Sequence, residues 1–330
     1  MKGLPMKLHA KFLLALATVF ASATPLASLA QNYPNKPIKV IVPFTPGGAI
    51  DQVIQQVGPT LTEAWGQPLI MDHRPGANGA IGAMAAVKSP ADGYTLFMCS
   101  NASFSGNAAL FPNLSYDPVK DFAAITVGTV FPSLLVIHPS VPANNVQELI
   151  AYARANPGKL NYASSGSGGS AHVAAESFNM MAGTKMTHVP YKGNSVALTD
   201  LVGGQVQLMF ANVGPALPFV KSGRLKSLGV TSPARFSVTP DIPTVAEAGL
   251  PGFEMVPWIG FCAPAGTPRE IVLKLNAEIN KALRNPEVQK AFAATGAETA
   301  PMTTEQMDTF VKNDIAKWIQ VVKAANIKPN

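Results

Sequence analysis

Short apolar runs of strand character alternate with helical patterns along most of this chain. The apolar runs cover residues 38–42, 69–71, 94–98, 133–137, 160–163, 206–210 and 225–230. This alternation predicts an α/β protein in which parallel sheets are flanked by helices. Because ligands of such sheets bind outside the carboxyl ends of the strands, the turns that follow strands are the first candidates for a site.

Helix start and stop signals support the segments between these runs. A capping residue followed three positions later by Glu or Gln occurs at residues 145–148, 244–247, 267–270 and 303–306, and each pattern predicts the beginning of a helix. In the third, Pro268 is predicted to occupy the first helical position. Residues 156–158 and 294–296 contain glycine-based helix stops.

The length of the chain predicts two lobes. About 300 residues follow an N-terminal leader, which is more than one hydrophobic core usually serves. Proline-rich segments at residues 131–132 and 251–257 look like crossings between lobes. We predict a first lobe of residues 31–130 with 254–330 and a second lobe of residues 131–253, with the ligand in the cleft between them. The lobe that holds the last helix is left open.

The first thirty residues have the pattern of a secretory signal. Lys2, Lys7 and Lys11 precede an apolar run at residues 12–23, and Ser28-Leu29-Ala30 is a small-x-small cleavage sequence. The run is short and interrupted, which favours cleavage after Ala30 and export to the periplasm over a retained membrane anchor.

Charge and cysteine content narrow the function classes. Three of the 25 Lys and Arg residues lie in the leader, so the rest of the chain carries 22 basic and 19 acidic residues, a net charge of +3. The basic residues are scattered, which argues against nucleic-acid binding.

Cys99 and Cys262 lie in strand-like runs. In an oxidising compartment they form a disulfide if the strands are neighbours; two buried thiols are the equal alternative.

Two glycine-rich turns connect strand-like to helix-like segments, at residues 43–51 and 164–170. The second consists of Ser and Gly alone. A helix N-terminus presents unpaired N–H groups and partial positive charge, and glycine lets a ligand approach the backbone, so both turns are typical of anion sites. Residues 100–103 and 191–194 could add further polar groups. The spacing fits neither a dinucleotide fingerprint nor a P-loop.

Enzyme and metal-site interpretations have weak support. Ser170 and His172 could form a hydrolase pair, but residues two apart on a helix do not face each other, and there is no nucleophile elbow. The five histidines are scattered without metal-ligand spacing. We therefore predict no catalysis, no metal and no cofactor.

Several motifs, taken in order, resemble the periplasmic receptors of tripartite tricarboxylate transporters, called Bug receptors. The most specific are Arg-Pro-Gly-Ala-Asn-Gly at residues 74–79 and Ala-Asp-Gly-Tyr-Thr-Leu at residues 91–96. Segments 33–38, 43–51, 188–193, 203–206 and 263–268 complete the match, which covers essentially the whole chain after the leader. The resemblance implies a two-lobed, type II-like Venus flytrap fold of periplasmic binding proteins, with two parallel or mixed sheets flanked by helices.

The resemblance also implies a function and a set of site residues. A monomeric receptor would capture a small carboxylate in the cleft and deliver it to an integral-membrane permease. In the family the first turn holds one carboxylate, partly through water, and the Ser/Gly turn and the Tyr191-Lys192-Gly193 segment line the other side. The candidate ligand-binding residues are Phe44, Thr45, Gly47, Gly48, Ala49, Asp51, Asn101, Ser103, Ser165, Gly168, Gly169, Ser170, His172, Tyr191, Asn194, Ala211 and Asn212.

Two departures from the family pattern bear on the ligand. Family members often carry Ser-Thr where this chain has Ala49-Ile50, and many have Asp where this chain has Ala211. The loss of that acid favours an aromatic or aliphatic carboxylate without an amino group. An exported enzyme on the same fold and a receptor for a signalling partner are the alternatives.

Overall fold

The computed structural model describes residues 33–328. The predicted leader and its cleavage site lie outside these residues. Eleven strands are described: β1 (Ile38–Val42), β2 (Leu69–His73), β3 (Thr95–Ser100), β4 (Phe122–Val130), β5 (Ser133–Ile137), β6 (Asn161–Ser164), β7 (Thr187–Pro190), β8 (Leu208–Asn212), β9 (Lys226–Val230), β10 (Trp258–Pro264) and β11 (Glu298–Thr299).

Ten α-helices are described in the same part of the chain: α1 (Ala49–Trp65), α2 (Ala80–Val87), α3 (Asn107–Leu110), α4 (Val146–Ala155), α5 (Ser170–Ala182), α6 (Asn194–Val202), α7 (Val213–Lys221), α8 (Arg269–Leu283), α9 (Pro286–Thr295) and α10 (Thr304–Ala324). A 3₁₀ turn (Ala77–Gly79) precedes α2, and a π-helical turn (Ala102–Gly106) precedes α3. Within residues 33–328, no helix combines the length and the apolar character that crossing a membrane requires.

The strands form two mixed sheets. The larger has the order β11-β4-β10-β3-β1-β2 and takes its strands from residues 38–130 and 258–299; the smaller has the order β7-β6-β8-β5-β9 and lies within residues 133–230. The first strand after each crossing, β5 and then β10, runs antiparallel to both of its neighbours. Both sheets are therefore mixed, as the expected fold allowed, because a chain that passes between lobes enters the new sheet in the reverse direction.

Apolar clusters cover both faces of each sheet. In the larger sheet Val40 packs in one buried cluster and Ile41 in another, as expected for residues on opposite faces of one strand. In the smaller sheet Leu135 and Leu134 divide in the same way. The residue limits of the two lobes stay a prediction.

Helix α10 belongs to the cores of both lobes. Its first half contributes Met307 and Val311 to a cluster of the larger sheet, and its second half contributes Trp318 and Val322 to a cluster of the smaller sheet. One continuous helix therefore packs against both lobes.

Several helix starts follow the predicted pattern. Thr303 caps α10 with both hydrogen bonds of a capping box. Asn145 accepts from the Glu148 N–H at 2.8 Å to cap α4, but the Glu148 carboxylate accepts from the Asn144 N–H instead of completing the box.

Two predictions at helix starts were wrong. Thr244 and Glu247 make both capping-box hydrogen bonds, each 3.0 Å, yet only a turn follows, because Gly249 takes a φ of +137°. Pro268 lies at the N-cap of α8, not at its first helical position, and the Thr267 hydroxyl donates to Pro264 O at 2.8 Å.

The structure joins Cys99 and Cys262 in a disulfide, with their Cα atoms 6.3 Å apart. Strands β3 and β10 are antiparallel neighbours, and Cys99 pairs with Gly260 in the ladder. The alternative that the sequence left open, two buried thiols, is therefore not the arrangement in the structure.

Candidate functional site

A cavity of about 410 Å³, here called the front chamber, lies between the two sheets. Segments from both lobes line it. The larger sheet contributes the turn after β1 and the end of β3; the smaller contributes the turns after β6 and β7 and the end of β8. The carboxyl ends of parallel strands therefore meet across the cleft, as the fold predicts.

Four helices begin at this chamber, and none of their N-caps makes a side-chain hydrogen bond. The N-caps of α1, α5, α6 and α7 are Gly48, Gly169, Gly193 and Asn212. By contrast, α4, α9 and α10, which begin elsewhere, have side-chain caps; α2, α3 and α8 do not. Each uncapped N-terminus leaves backbone N–H groups available and adds partial positive charge at the cleft.

Asp51 stabilises the turn after β1. Its carboxylate accepts from the Gly47 N–H at 2.5 Å and from His73 Nε2 at 3.0 Å, and its side chain is buried. Gly47 takes a φ of +90°, which favours glycine. The carboxylate therefore holds the turn in shape at the edge of the chamber, where Gly48 and Ala49 line it.

His172 stabilises the Ser/Gly turn from below. Its Nδ1 accepts from the Gly168 N–H at 3.0 Å, and its ring stacks on that of His188 with centroids 3.7 Å apart. Burial, with a smaller contribution from His188, lowers the pKa of His172 to about 4. The ring is therefore neutral at neutral pH, which leaves Nδ1 able to accept.

A hydrogen bond between Asn101 and Ser170 connects the two lobes beside the chamber. Asn101 Oδ1 accepts from the Trp258 N–H at 3.2 Å, which directs its amide nitrogen to Ser170 Oγ at 3.1 Å. Because Ser170 accepts this bond, its own hydroxyl proton stays available for a ligand.

Besides Ser100, Ser133 and Ala171, the remaining lining residues form an apolar wall that sequence reasoning missed. Its members are Val42, Ile50, Phe131, Phe210, Pro257, Trp258 and Ile259. Phe131 and Pro257 lie in the proline-rich segments that had been marked as boundaries, and Trp258 and Ile259 directly follow the second segment. That signal could have found them, because a cleft between two lobes is closed at one side by the segments that join the lobes.

The structure brings ten of the predicted site residues together around the front chamber: Phe44, Thr45, Gly48, Ala49, Asp51, Asn101, Ser165, Ser170, Asn194 and Asn212. Seven others do not line it: Gly47, Ser103, Gly168, Gly169, His172, Tyr191 and Ala211. That any of the ten binds the ligand stays a prediction.

The seven are placed elsewhere for identifiable reasons. Ser103 is fully buried and bonds to Ser100, and Tyr191 donates its hydroxyl to Asp200 at 2.9 Å instead of lining the cleft. Ala211 packs in an apolar cluster of β8, while its neighbour Asn212 lines the chamber. The absence of an acid at Ala211 therefore carries no direct argument about the ligand.

The electrostatics of the front chamber are simple. Among the described residues that line it, Asp51 alone has an ionisable side chain, and that carboxylate is already bonded. In residues 33–328 no group of three or more His, Cys, Asp or Glu side chains could hold a metal ion. The chamber is thus an apolar pocket edged by neutral hydrogen-bond donors.

The sequence profile described as "Tripartite tricarboxylate transporter family receptor" matches residues 53–327. The chain belongs to this receptor family. Protein BugT of Bordetella pertussis is 36% identical over 319 residues, which is 96% of this chain and 98% of that protein. The family resemblance and the two-lobed fold expected from the sequence are therefore confirmed.

Two solved proteins that resemble this chain share the fold. Rpa4515 of R. palustris, solved with adipate, is 36% identical and has a TM-score of 0.71; the match covers 90% of this chain and 100% of that one. MatC of Rhodopseudomonas palustris, solved with bound malate, is 33% identical with a TM-score of 0.67, and the match covers 88% of this chain and 100% of that one. Both of these neighbours were solved with small carboxylates.

Proposed function

We propose that this receptor captures a small carboxylate in the front chamber, in the periplasm after its leader is removed, and delivers it to the membrane permease of a tripartite transporter. The observation that carries the proposal is the convergence of four uncapped helix N-termini on one chamber between the lobes. An anion is the ligand that such a set of N–H groups binds best.

Neutral donors suit a receptor that must also release its ligand. Backbone N–H groups, the Ser170 hydroxyl and the amides of Asn194 and Asn212 surround the chamber without a lysine or arginine among its described lining residues. Each hydrogen bond to a charged carboxylate contributes about 1.5–3 kcal/mol. A few of them, less the cost of ordering the ligand, correspond to a Kd on the order of 1 μM.

The apolar wall favours an aliphatic or aromatic body behind the carboxylate. Phe44, Phe131 and Pro257 line the chamber with partly exposed apolar side chains, and burial of apolar ligand surface is favourable by about 25 cal/mol per Å². Nothing in the described lining pairs with an ammonium group, since the Asp51 carboxylate is occupied by Gly47 and His73. We therefore propose a carboxylate that lacks an amino group.

Calorimetry on the mature protein tests this proposal. We expect 1:1 binding of at least one of adipate, malate or benzoate with a Kd on the order of 1 μM, and no binding of the matched neutral amide. Gly48→Val is the decisive variant. A Cβ at Gly48 approaches other atoms no closer than 3.9 Å, and the backbone there is extended. The fold should therefore tolerate valine at this position, while the valine side chain clashes with a ligand bound at the turn.

The matched control is Gly58→Val in the same helix α1, where a Cβ contacts nothing within 4 Å. Gly48→Val should weaken binding at least about tenfold, roughly 1.4 kcal/mol, and Gly58→Val should leave it unchanged. Equal affinity of the two variants would contradict a carboxylate held by the turn after β1. Uptake of the bound carboxylate by cells that lack the gene, with and without complementation, tests delivery to a permease.

A further inference from the structure

A second cavity of about 380 Å³ lies on the other side of the Asn101–Ser170 hydrogen bond. We call it the rear chamber. It is enclosed by the 3₁₀ turn before α2, the π-helical turn before α3, the Ser/Gly turn and helix α10. Asn101 and Ser170 line both chambers, so their hydrogen bond is part of the wall between the two.

The lining of the rear chamber is suited to an apolar group. Leu110 and Phe111 supply aliphatic and aromatic surface, the 3% exposed Trp318 borders the chamber, and none of its described lining residues has an ionisable side chain. The amide nitrogen of Asn78 already donates to Ala102 O at 3.2 Å and to Asn107 Oδ1 at 2.8 Å. The N–H groups of Gly168 and Gly169 are likewise bonded, to His172 Nδ1 at 3.0 Å and to Gly166 O at 3.4 Å. A second carboxylate would therefore find few free donors there, whereas a hydrocarbon chain would be buried.

The wall between the chambers is weak at one point. The Asn101–Ser170 contact is a hydrogen bond between neutral groups, which is the weaker kind. Asn101 is also held by the Trp258 backbone, through Asn101 Oδ1 and through its own N–H. A change of the Ser170 rotamer is therefore enough to break this bond without moving Asn101.

We propose that the rear chamber receives the apolar tail of a long carboxylate whose charged group is held in the front chamber, and that Asn101 and Ser170 set the preferred chain length. This inference rests on the proposed function and names the substrate class of the same cleft: carboxylates with an extended hydrocarbon body.

Paired calorimetric titrations with hexanoate and decanoate test the proposal. Decanoate should bind the wild-type protein at least about tenfold more tightly, because its four additional methylenes are buried in the rear chamber. Ala102→Leu should reduce the ratio of hexanoate Kd to decanoate Kd to about one without changing the affinity for hexanoate. The reason is that Ala102 lines the rear chamber and not the front one.

Ala108→Leu is the matched control, because Ala108 lies in α3, next in the chain to the π-helical turn that holds Ala102, yet lines neither chamber; it should keep the wild-type ratio. Ser170→Ala removes the acceptor of the wall and should raise the ratio of hexanoate Kd to decanoate Kd further.

The outcomes separate the two proposals. Three results would overturn the rear chamber as a tail site. They are a ratio of hexanoate Kd to decanoate Kd near one in the wild-type protein, a ratio that Ala102→Leu does not change, and no binding of either fatty acid. Binding of adipate in the same experiments would leave the proposed function standing in each of those cases. Failure of every carboxylate, adipate included, would overturn both.

Discussion

Two side chains of the candidate site, His172 and Asp51, stabilise its turns through hydrogen bonds to backbone N–H groups. His172 was predicted to bind the ligand, but it contacts the Gly168 N–H and the ring of His188 under the Ser/Gly turn. Asp51 holds Gly47 in the same manner on the other lobe. Sequence could place both residues near the turns. It could not show whether these side chains contact the ligand or stabilise the turns, because the direction of a helical side chain depends on packing against residues that are remote in the chain.

The burial of His172 predicts a dependence of stability on pH. The pKa of His172 in the folded protein, about 4, lies below its ordinary value of 6.5, so the unfolded chain takes up the proton first as the pH falls. The free energy of unfolding should therefore be highest above pH 6.5 and fall steadily from there to about pH 4. Burial lowers the pKa of the facing His188 as well, in the same direction.

Urea unfolding at a series of pH values measures this effect. In His172→Gln the free energy of unfolding should fall less steeply between pH 6.5 and 4, with a slope that corresponds to the uptake of up to about one proton fewer on unfolding. At pH 8 the free energy of unfolding should change little, because the glutamine side chain can still accept from the Gly168 N–H. Parallel curves for the two proteins would show that His172 does not carry the dependence.

At the scale of elements, the three described helices with side-chain caps all begin away from the cleft. Thr303, Asn145 and Asn285 cap helices that begin away from the cleft, and the first two were recognisable from sequence. The strand β4 was missed, because alanines and Gly128 dilute its apolar pattern, although it lies between β10 and β11 in the larger sheet. The beginning of helix α10 was predicted from its capping pattern, but its packing on both lobes was not.

Trp318 of α10 gives the prediction at this scale. It is 3% exposed and packs with the core of the smaller sheet. Trp318→Ala should lower the free energy of unfolding by about 3–5 kcal/mol, since it removes a large buried side chain. Its neighbour Ile319 is 43% exposed, so Ile319→Ala should stay within about 0.5 kcal/mol. Urea denaturation compares them, and equal losses would contradict the role of α10 as a core element.

At the scale of the whole molecule, the disulfide closes a loop of chain that contains all strands of the smaller sheet. Cys99 and Cys262 are 163 positions apart, and all strands of the smaller sheet lie between them. A cross-link of this kind restricts the unfolded chain over a long loop, which stabilises the folded state.

Thiol titration and unfolding check the bridge. The denatured, unreduced protein should show no reactive thiol, and two should appear after reduction. The Cys99→Ala, Cys262→Ala double variant should lose about 2–4 kcal/mol of unfolding free energy. Two reactive thiols before reduction would contradict the bridge.

The sequence by itself determined the alternation of strands and helices, the glycine-rich turns and the family, because these depend on short-range periodicity and on motifs of a few adjacent residues. Only the tertiary structure decided that four helix N-termini meet at one chamber, that Trp258 and Phe210 close it, and that Ala211 turns away from it. These facts depend on which strands pair and which faces they present, and partners far apart in the chain set both.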